Sequence, residues 1–131
     1  MNASTLHHMP AGSGSVATGQ TPGMHRVATI SSTTVGSQAI FMGQTHVAPG
    51  TSSGPHHHGL SETAIYVVSG HPVFVYKEGG KEIRIETSPG DYVFVPPFAP
   101  HIEENPSPVE EAVVVVARST QEAIVENLER L

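Results

Sequence analysis

The sequence predicts an all-β domain, built as a barrel or as a double-sheet jelly roll. Its 131 residues include 13 glycines and 11 prolines, and the apolar segments between these turn-forming residues are short and regularly spaced. Val and Thr, which favour strands, recur in those segments. A chain of this length supports one domain with a single core.

The N-terminal part of the chain differs in composition from the rest. Residues 1–23 are rich in Ser, Thr, Gly and Ala and show no apolar period, which predicts a flexible segment before the folded domain at 24–131. A first strand is expected over 24–30. A second is expected over 38–49, with one side formed by Ile40, Met42, Gln44, His46 and Ala48.

Five more strands follow from alternation and from turn residues. Gly79 and Gly80 predict a hairpin turn, because glycine adopts positive φ at little cost. Charged and apolar residues alternate after that turn, as they do in a half-exposed strand. The predicted strands cover 64–68, 72–76, 82–86, 92–95 and 113–117.

One helix is predicted, at the C-terminal end of the chain. Ser119 and Glu122 have the spacing of a capping box. An apolar stripe with helical spacing follows, formed by Ala123, Ile124, Leu128 and Leu131. We therefore expect a barrel core over 35–119 and a short α-helix over about 120–131.

Three consecutive histidines follow a loop of Gly, Ser and Pro at 50–55. Side chains alternate faces on an extended backbone, so His56 and His58 can point the same way while His57 points the other way. That geometry lets two imidazoles bind one metal ion. Glu62 follows four residues later and offers the anionic oxygen that a divalent cation also favours.

A second segment supplies another candidate ligand. Residues 90–105 read as a strand followed by a proline-rich turn, and His101 stands directly after that turn. Together with His56, His58 and Glu62, this residue would complete a site of three histidines and one carboxylate.

Both segments resemble the two motifs of the cupin family. The first motif matches Gly50, His56, His58, Glu62 and Gly70, and the second matches Gly90, Pro96, His101 and Asn105. The resemblance implies a double-stranded β-helix, which is a jelly-roll barrel, and a metal held by three histidines and one glutamate. It also implies a homodimer in which the first strand joins a neighbouring subunit's sheet.

The chain departs from the family pattern at two positions. Seven residues separate Glu62 from Gly70 where the family has six, so counting back from Gly70 places Thr63 at the glutamate position. Counting forward from His58 selects Glu62, which we prefer because it ionises. Phe98 stands where the second motif has glycine, so we expect a different turn there, since positive φ is costly for phenylalanine.

Composition argues against several classes of function. The six Lys and Arg residues are not clustered and the net charge is −6, which argues against nucleic acid as a partner. No apolar segment has the roughly 20 residues of a membrane span, and no signal sequence is evident. The chain has no cysteine, so a cytoplasmic location is the default expectation.

The predicted site is expected to hold one divalent transition-metal ion per chain. Imidazole and carboxylate ligands suit Mn, Fe, Co, Ni, Cu and Zn, and the sequence does not choose among them. Four protein ligands would leave two adjacent positions open on an octahedral ion, which is typical of a working site rather than a structural one.

Such a site is compatible with an enzyme that acts on a small molecule, either as a dioxygenase or as a Lewis-acid lyase, isomerase or decarboxylase. A module that only binds or senses a small molecule and a structural metalloprotein are the alternatives. For the enzyme, we expect His46, Gln44 or Tyr66 to supply a proton or a hydrogen bond. The predicted pocket walls are Met42, Phe74, Phe94 and Phe98.

The loop before the first histidine bears on the substrate. Oxalate-processing cupins usually carry an arginine there, whereas residues 51–55 contain none. An uncharged, ring-containing or carbonyl substrate is therefore favoured over a small dicarboxylate. The sequence directs no further carboxylate or lysine into the cavity, which leaves histidine, tyrosine and amide groups for acid–base work.

Overall fold

The structure is a computed structural model that describes residues 5–131. No helix in that range has the length and apolar character needed to cross a membrane. Within these residues the chain forms eleven strands: β1 (Met24–Ile30), β2 (Phe41–Val47), β3 (Thr51–Ser52), β4 (His56–His57), β5 (Thr63–Ser69), β6 (Val73–Glu78), β7 (Lys81–Glu86), β8 (Tyr92–Val95), β9 (Ile102–Asn105), β10 (Ala112–Arg118) and β11 (Glu126–Asn127).

These strands form two main antiparallel sheets. One has five strands in the order β1-β2-β10-β5-β8, and the other has four in the order β3-β9-β6-β7. Several neighbours are distant in sequence, such as β2 beside β10 and β6 beside β9, which is the connectivity of a jelly roll rather than of successive hairpins. The predicted all-β, double-sheet fold is confirmed.

The main core cluster combines residues of both sheets. Val67 on β5 and Val114 on β10 are fully buried, and they pack with Ile65, Phe74 and Val95. Buried and more exposed residues alternate along β5. A slip of one residue would expose Ile65 and Val67 together, and burying each such side chain contributes about 1.5–3 kcal/mol. The core therefore fixes which face of β5 points inward.

Part of the N-terminal segment lies along β1. Ser15 and Ala28 exchange two backbone hydrogen bonds of 2.8 Å each. The side chain of Gln20 bonds both the N–H and the carbonyl of Arg26, each at 2.8 Å. The first four residues of the segment predicted to be flexible, 1–23, lie outside the described part of the chain. The remainder includes residues that extend the edge of the five-stranded sheet.

The face of strand β2 that is buried is the opposite of the one predicted to line the cavity. Phe41, Gly43, Thr45 and Val47 are its buried residues, whereas the side predicted to line a cavity lies on the outer face of the sheet. Alternation along a strand gives two equivalent faces, and only the packing partner decides between them. Here Val47 packs with Met24 and Ala112 in a second buried cluster, and Thr45 lines a cavity on the same face.

The structure has no helix over 120–131, which corrects the sequence prediction. The segment is irregular apart from β11, which pairs with β4. The N–H of Leu128 donates to the carbonyl of Pro55 at 3.0 Å. The hydroxyl of Ser119, expected to cap a helix, accepts the N–H of Glu62 at 2.9 Å instead. Tertiary contacts with the histidine loop thus override a local helix signal, which is weak in a segment this short.

Gly43 offers a test of the packing of β1 against β2. A Cβ added there would lie 2.2 Å from the carbonyl oxygen of Val27. We expect Gly43→Ala to lower the free energy of unfolding by about 1–3 kcal/mol, because the backbone of β1 must move. Urea unfolding measures this, with Gly19→Ala as the control, since its Cβ meets nothing closer than 4.0 Å. Equal stability of Gly43→Ala and the unmodified chain would contradict the observed packing.

Candidate metal centre

Two segments distant in sequence bring three histidines together. His56 begins β4, His58 follows it, and His101 directly precedes β9. The backbones of His56 and His101 exchange two hydrogen bonds, of 3.0 and 2.9 Å. One ring nitrogen from each of the three side chains lies within 4.8 Å of the other two. The paired backbones therefore place three imidazoles where one ion can contact them all.

Each of these rings has Nδ1 hydrogen-bonded to a backbone carbonyl. The three bonds join His56 to Gly54 at 2.9 Å, His58 to Ile124 at 2.7 Å, and His101 to Ala99 at 2.9 Å. A carbonyl oxygen can only accept, so Nδ1 carries the hydrogen of the neutral ring and Nε2 keeps its lone pair. All three rings are thus held in the tautomer that offers Nε2 to a metal, as outer hydrogen bonds do at metal-binding histidines.

His57 is held in the opposite state. The backbone N–H of Gly59 donates to His57 Nδ1 at 3.0 Å, so the hydrogen of its neutral ring sits on Nε2. Its ring lies against Phe98, with the centroids 5.7 Å apart, and it is not one of the three clustered histidines. The middle histidine therefore points away from the other two, as alternation along an extended backbone predicts.

Burial keeps the three clustered rings neutral. It lowers the pKa of His56 and of His58, and the carbonyl bonds at Nδ1 offset this only in part. Burial lowers the pKa of His101 to about 4, with the neighbouring histidines adding to the effect. A histidine must be unprotonated at Nε2 to bind a metal, so these rings are ready to bind near neutral pH.

The structure places Glu62 apart from the clustered histidines. Its side chain is exposed, and its backbone N–H is bonded to Ser119 on the C-terminal segment. Thr63 is buried and lines the same cavity as the three rings. The position counted back from Gly70 is therefore the one that faces the cavity. The forward count from His58 predicted that the carboxylate of Glu62 would face the cavity. The structure has the hydroxyl of Thr63 there instead.

The three rings face a cavity of about 400 Å³ between the sheets. This volume lies within the range of sites that bind small molecules. Thr45, Ile65 and Val116 line it from the five-stranded sheet. Residues 123–125, in the segment predicted to be helical, close another side. We call residues 119–131 the C-terminal strap, since they cross the histidine loop and hold His58 in place.

Glu103 is a cavity residue that the sequence prediction missed. Its Oε1 atom is buried and has no hydrogen-bond partner among the described residues. Burial raises the pKa of Glu103 to about 7, against the opposing effect of the Arg26 charge. Glu103 lies two residues after His101, so alternation along β9 points both into the cavity. That spacing is the signal by which it could have been found.

Two arginines also line the cavity, and neither was predicted to do so. Arg26 stands on β1 opposite Thr45, and its Nη1 donates to the Thr21 hydroxyl at 2.8 Å. Arg118 ends β10, and its guanidinium carbon lies 3.6 Å from the centroid of the Phe41 ring. Burial lowers the pKa of both arginines from a very high ordinary value, and both remain charged at neutral pH.

The side chains predicted to assist catalysis do not reach this cavity. Gln44 is exposed on the outer face of β2. His46, on the same face, lies 3.3 Å from the carboxylate of Glu111. Tyr66 is on the outer face of β5, with its ring centroid 4.9 Å from that of Tyr92. Gln44 and His46 point outward from β2, and Tyr66 points outward from β5, so none of these three side chains faces the clustered histidines.

The predicted aromatic walls lie elsewhere as well. Met42, Phe94 and Phe98 are between 40% and 60% exposed, and Phe74 belongs to the core cluster. Phe98 also adopts a φ of 60°, which corrects the expectation that it would avoid positive φ. Its N–H donates to the carbonyl of Gly59 at 2.7 Å. This contact joins the turn to the histidine loop and offsets the backbone strain.

Comparison with known sequences identifies the family. The sequence model of the family described as "Cupin domain" matches residues 43–117, which are more than half of the chain. The chain belongs to the cupin family. No curated protein matches this cupin at a significant level.

Solved structures share its fold at low sequence identity. An uncharacterised conserved protein with a double-stranded β-helix domain from Klebsiella pneumoniae is 19% identical with a TM-score of 0.65, and the match covers 86% of this cupin and 91% of that chain. A recombinant oxalate oxidase in complex with glycolate is 17% identical with a TM-score of 0.70, over 93% and 62% of the two chains. These identities show a common fold.

Oxalate decarboxylase from Bacillus subtilis is a third structural match. A study of its Mn(II) centres describes a chain that is 22% identical to this cupin, with a TM-score of 0.69. The match covers 83% of this cupin and 29% of the decarboxylase chain. This cupin thus spans less than a third of that larger protein.

The buried titratable groups predict a dependence of stability on pH for the metal-free protein. Unfolded His101 takes up a proton below its ordinary pKa of 6.5, whereas the folded form does so only near pH 4, so stability falls on acidification through that window. Glu103 acts oppositely, because its folded form keeps a proton up to about pH 7. Each effect is on the order of 3 kcal/mol.

We therefore expect Glu103→Gln to steepen the loss of stability between pH 6.5 and pH 4.5, because the opposing effect of the carboxyl is removed. Urea unfolding of metal-free protein at several pH values measures the slope. Glu104→Gln is the matched control, since Glu104 pairs with Arg84. Identical slopes for the unmodified chain and Glu103→Gln would contradict the assigned burial of this carboxyl.

Proposed function

We propose that this cupin is a mononuclear metal-dependent enzyme that acts on a small organic molecule. One observation carries the proposal: three neutral imidazoles with Nε2 free face one cavity of about 400 Å³. A site meant only to brace a fold is closed by protein ligands. Here the three histidines adjoin a space that is large enough for a substrate.

The donor set fits a divalent transition metal. His56, His58 and His101 would hold the ion, and imidazole suits Mn, Fe, Co, Ni, Cu and Zn. When bound, such an ion supplies Lewis-acid or redox chemistry at an oxygen of the substrate. Mn(II) centres are named for the structurally similar oxalate decarboxylase, which supports a divalent transition metal as the ion. Because Thr63 lies at the cavity in place of a glutamate, the site offers three neutral imidazoles and lacks the carboxylate that the family pattern implies.

Glu103 favours proton-transfer chemistry over oxygen chemistry. It is the acidic residue that lines the cavity within residues 5–131, and its Oε1 has no protein partner there. A carboxyl in that position can donate a hydrogen bond to a bound molecule or accept one from it. A lyase, isomerase or decarboxylase needs such a group near the reacting atoms, so we assign the protein to this group of enzymes.

Two wider predictions accompany the function. β1 is the outermost strand of the five-stranded sheet, a position from which a strand can extend a neighbouring subunit's sheet, although Ser15 of the same chain already pairs with its Ala28. A homodimer formed through this edge stays a prediction. A cytoplasmic location likewise stays a prediction from the absence of cysteine.

Replacement of the histidines tests the metal site. We expect His58→Ala and His101→Ala to lose most of the bound metal while the barrel stays folded, because each removes one of three ligands. His57→Ala is the matched control and is expected to keep the metal, since His57 has the opposite tautomer. Elemental analysis of each purified variant gives the metal content per chain, and circular dichroism gives the fold.

Unchanged metal content in both His58→Ala and His101→Ala would refute the site. A substrate screen under anaerobic conditions, repeated with an oxygen electrode, then tests the reaction class. Turnover that needs no oxygen supports the lyase, isomerase or decarboxylase assignment. Turnover that consumes oxygen would show a dioxygenase instead, and metal binding without any turnover would show a binding module.

A further inference from the structure

We propose that the cavity binds a small organic acid, with its carboxylate held by Arg26 and Arg118 and a second oxygen donor facing the three histidines. This assignment rests on the proposed metal-dependent function and names its substrate class. It departs from the uncharged substrate that the loop before His56 predicted. The reason is that Arg26 on β1 and Arg118 on β10 bring positive charge to the cavity, and neither belongs to that loop.

The charge of the lining favours an anion. Arg26, Arg118 and Glu103 are the charged residues that line the cavity beside its histidines, within the described part of the chain. The whole chain has six Lys and Arg residues and a net charge of −6. Two of those six cations therefore face one cavity in an otherwise acidic protein. A divalent ion on neutral imidazoles would add further positive charge, which attracts anions to the cavity.

Among the described residues, neither arginine lies within ion-pair distance of a carboxylate. The described residues form one ion pair with an arginine, between Arg84 and Glu104, and it lies outside the cavity. Arg26 bonds a hydroxyl, and Arg118 bonds the backbone carbonyls of Thr120 and Gln121. Glu103 is the acidic residue of the lining that opposes the charge of Arg26, so two positive charges face one carboxyl group, and a half-buried charge without its own counter-ion is costly. The carboxylate of a ligand would supply that counter-ion.

The two arginines are held firmly enough to form a site. The Arg118 guanidinium is stacked on Phe41 at 3.6 Å, and its Nε and one Nη are used by the carbonyls of the C-terminal strap. This leaves its other terminal nitrogen as a donor. Arg26 uses Nη1 for Thr21, so its Nη2 is available apart from a 3.9 Å contact with a sulfur atom. Planar guanidinium donors match the geometry of a carboxylate.

The cavity thus has distinct polar groups for different parts of one ligand. The arginines suit a carboxylate, and the Nε2 atoms suit an ion that takes an oxygen of the ligand. The unpartnered Oε1 of Glu103 suits a hydroxyl or a carboxyl proton of the same molecule. Small hydroxy, oxo or dicarboxylic acids carry this combination of groups, and neutral aromatic compounds do not.

Calorimetric titration of the zinc-loaded 131-residue chain tests the proposal. The probes are glycolate, malonate and succinate, each compared with its uncharged amide, together with inorganic phosphate. We expect at least one acid to bind 10-fold or more tightly than its amide, as charge-assisted hydrogen bonds contribute about that much. Equal binding of every acid and its amide would overturn the proposal. Phosphate binding tighter than every carboxylate would overturn the assignment to organic acids.

Variants separate this proposal from the metal site. We expect Arg26→Gln to weaken binding of the acid about 10- to 100-fold while the zinc content stays unchanged. Arg118→Gln serves as a second variant, with circular dichroism as a check of its fold. Arg84→Gln, on a residue outside the cavity, is expected to bind like the unmodified chain. Undiminished binding by both cavity variants would contradict the proposal while the metal function stands.

Failure of the metal site gives a different pattern. If the unmodified chain takes up no zinc, the proposed function fails. The same titrations on the metal-free chain then test whether the two arginines bind a carboxylate without a metal ion. Preference for an acid over its amide that depends on Arg26 would still support the carboxylate site, and absence of that preference would reject it.

Discussion

Backbone carbonyl oxygens orient the three rings on which the candidate site depends. Gly54, Ala99 and Ile124 each accept a hydrogen from Nδ1, and each carbonyl is fixed by the segment that contains it. Because the acceptors belong to the backbone, they cannot donate and cannot exchange roles with the rings. The tautomer of all three histidines is therefore determined by the fold before any ion arrives, which reduces the free-energy cost of assembling the site.

This arrangement makes the site depend on three distant parts of the chain. The histidine loop and the start of β9 are joined by the backbone pair of His56 and His101. The C-terminal strap supplies the acceptor for His58, and its first residues hold the guanidinium of Arg118. The same strap thus positions a metal-facing ring and a cationic side chain of the cavity. Because Ile124 of the C-terminal strap orients His58, we expect metal affinity to depend on the contact between the strap and the histidine loop.

The sequence predicted the all-β fold and the common facing of His56 and His58 because spacing and alternation are local signals, whereas the meeting of His101 with them was implied by the pair of motifs. His56 and His58 lie two residues apart on an extended backbone, so their side chains point to the same face. His101 directly follows the proline-rich turn. Glu103 was missed although it obeys the same alternation. Arg26 and Arg118 could not be predicted, since their facing depends on which side of β1 and β10 packs inward. The helix over 120–131 was wrong because pairing of β11 with β4 outweighs a local preference.

The most direct test of the account is long-range ¹H–¹⁵N NMR of the imidazoles in metal-free protein near neutral pH, about pH 7. The structure predicts that His56, His58 and His101 carry their hydrogen on Nδ1 and that His57 carries it on Nε2. One equivalent of zinc should then shift the Nε2 signals of the first three alone. A hydrogen on Nε2 in any of those three rings, or zinc-induced shifts at His57 instead, would contradict the account.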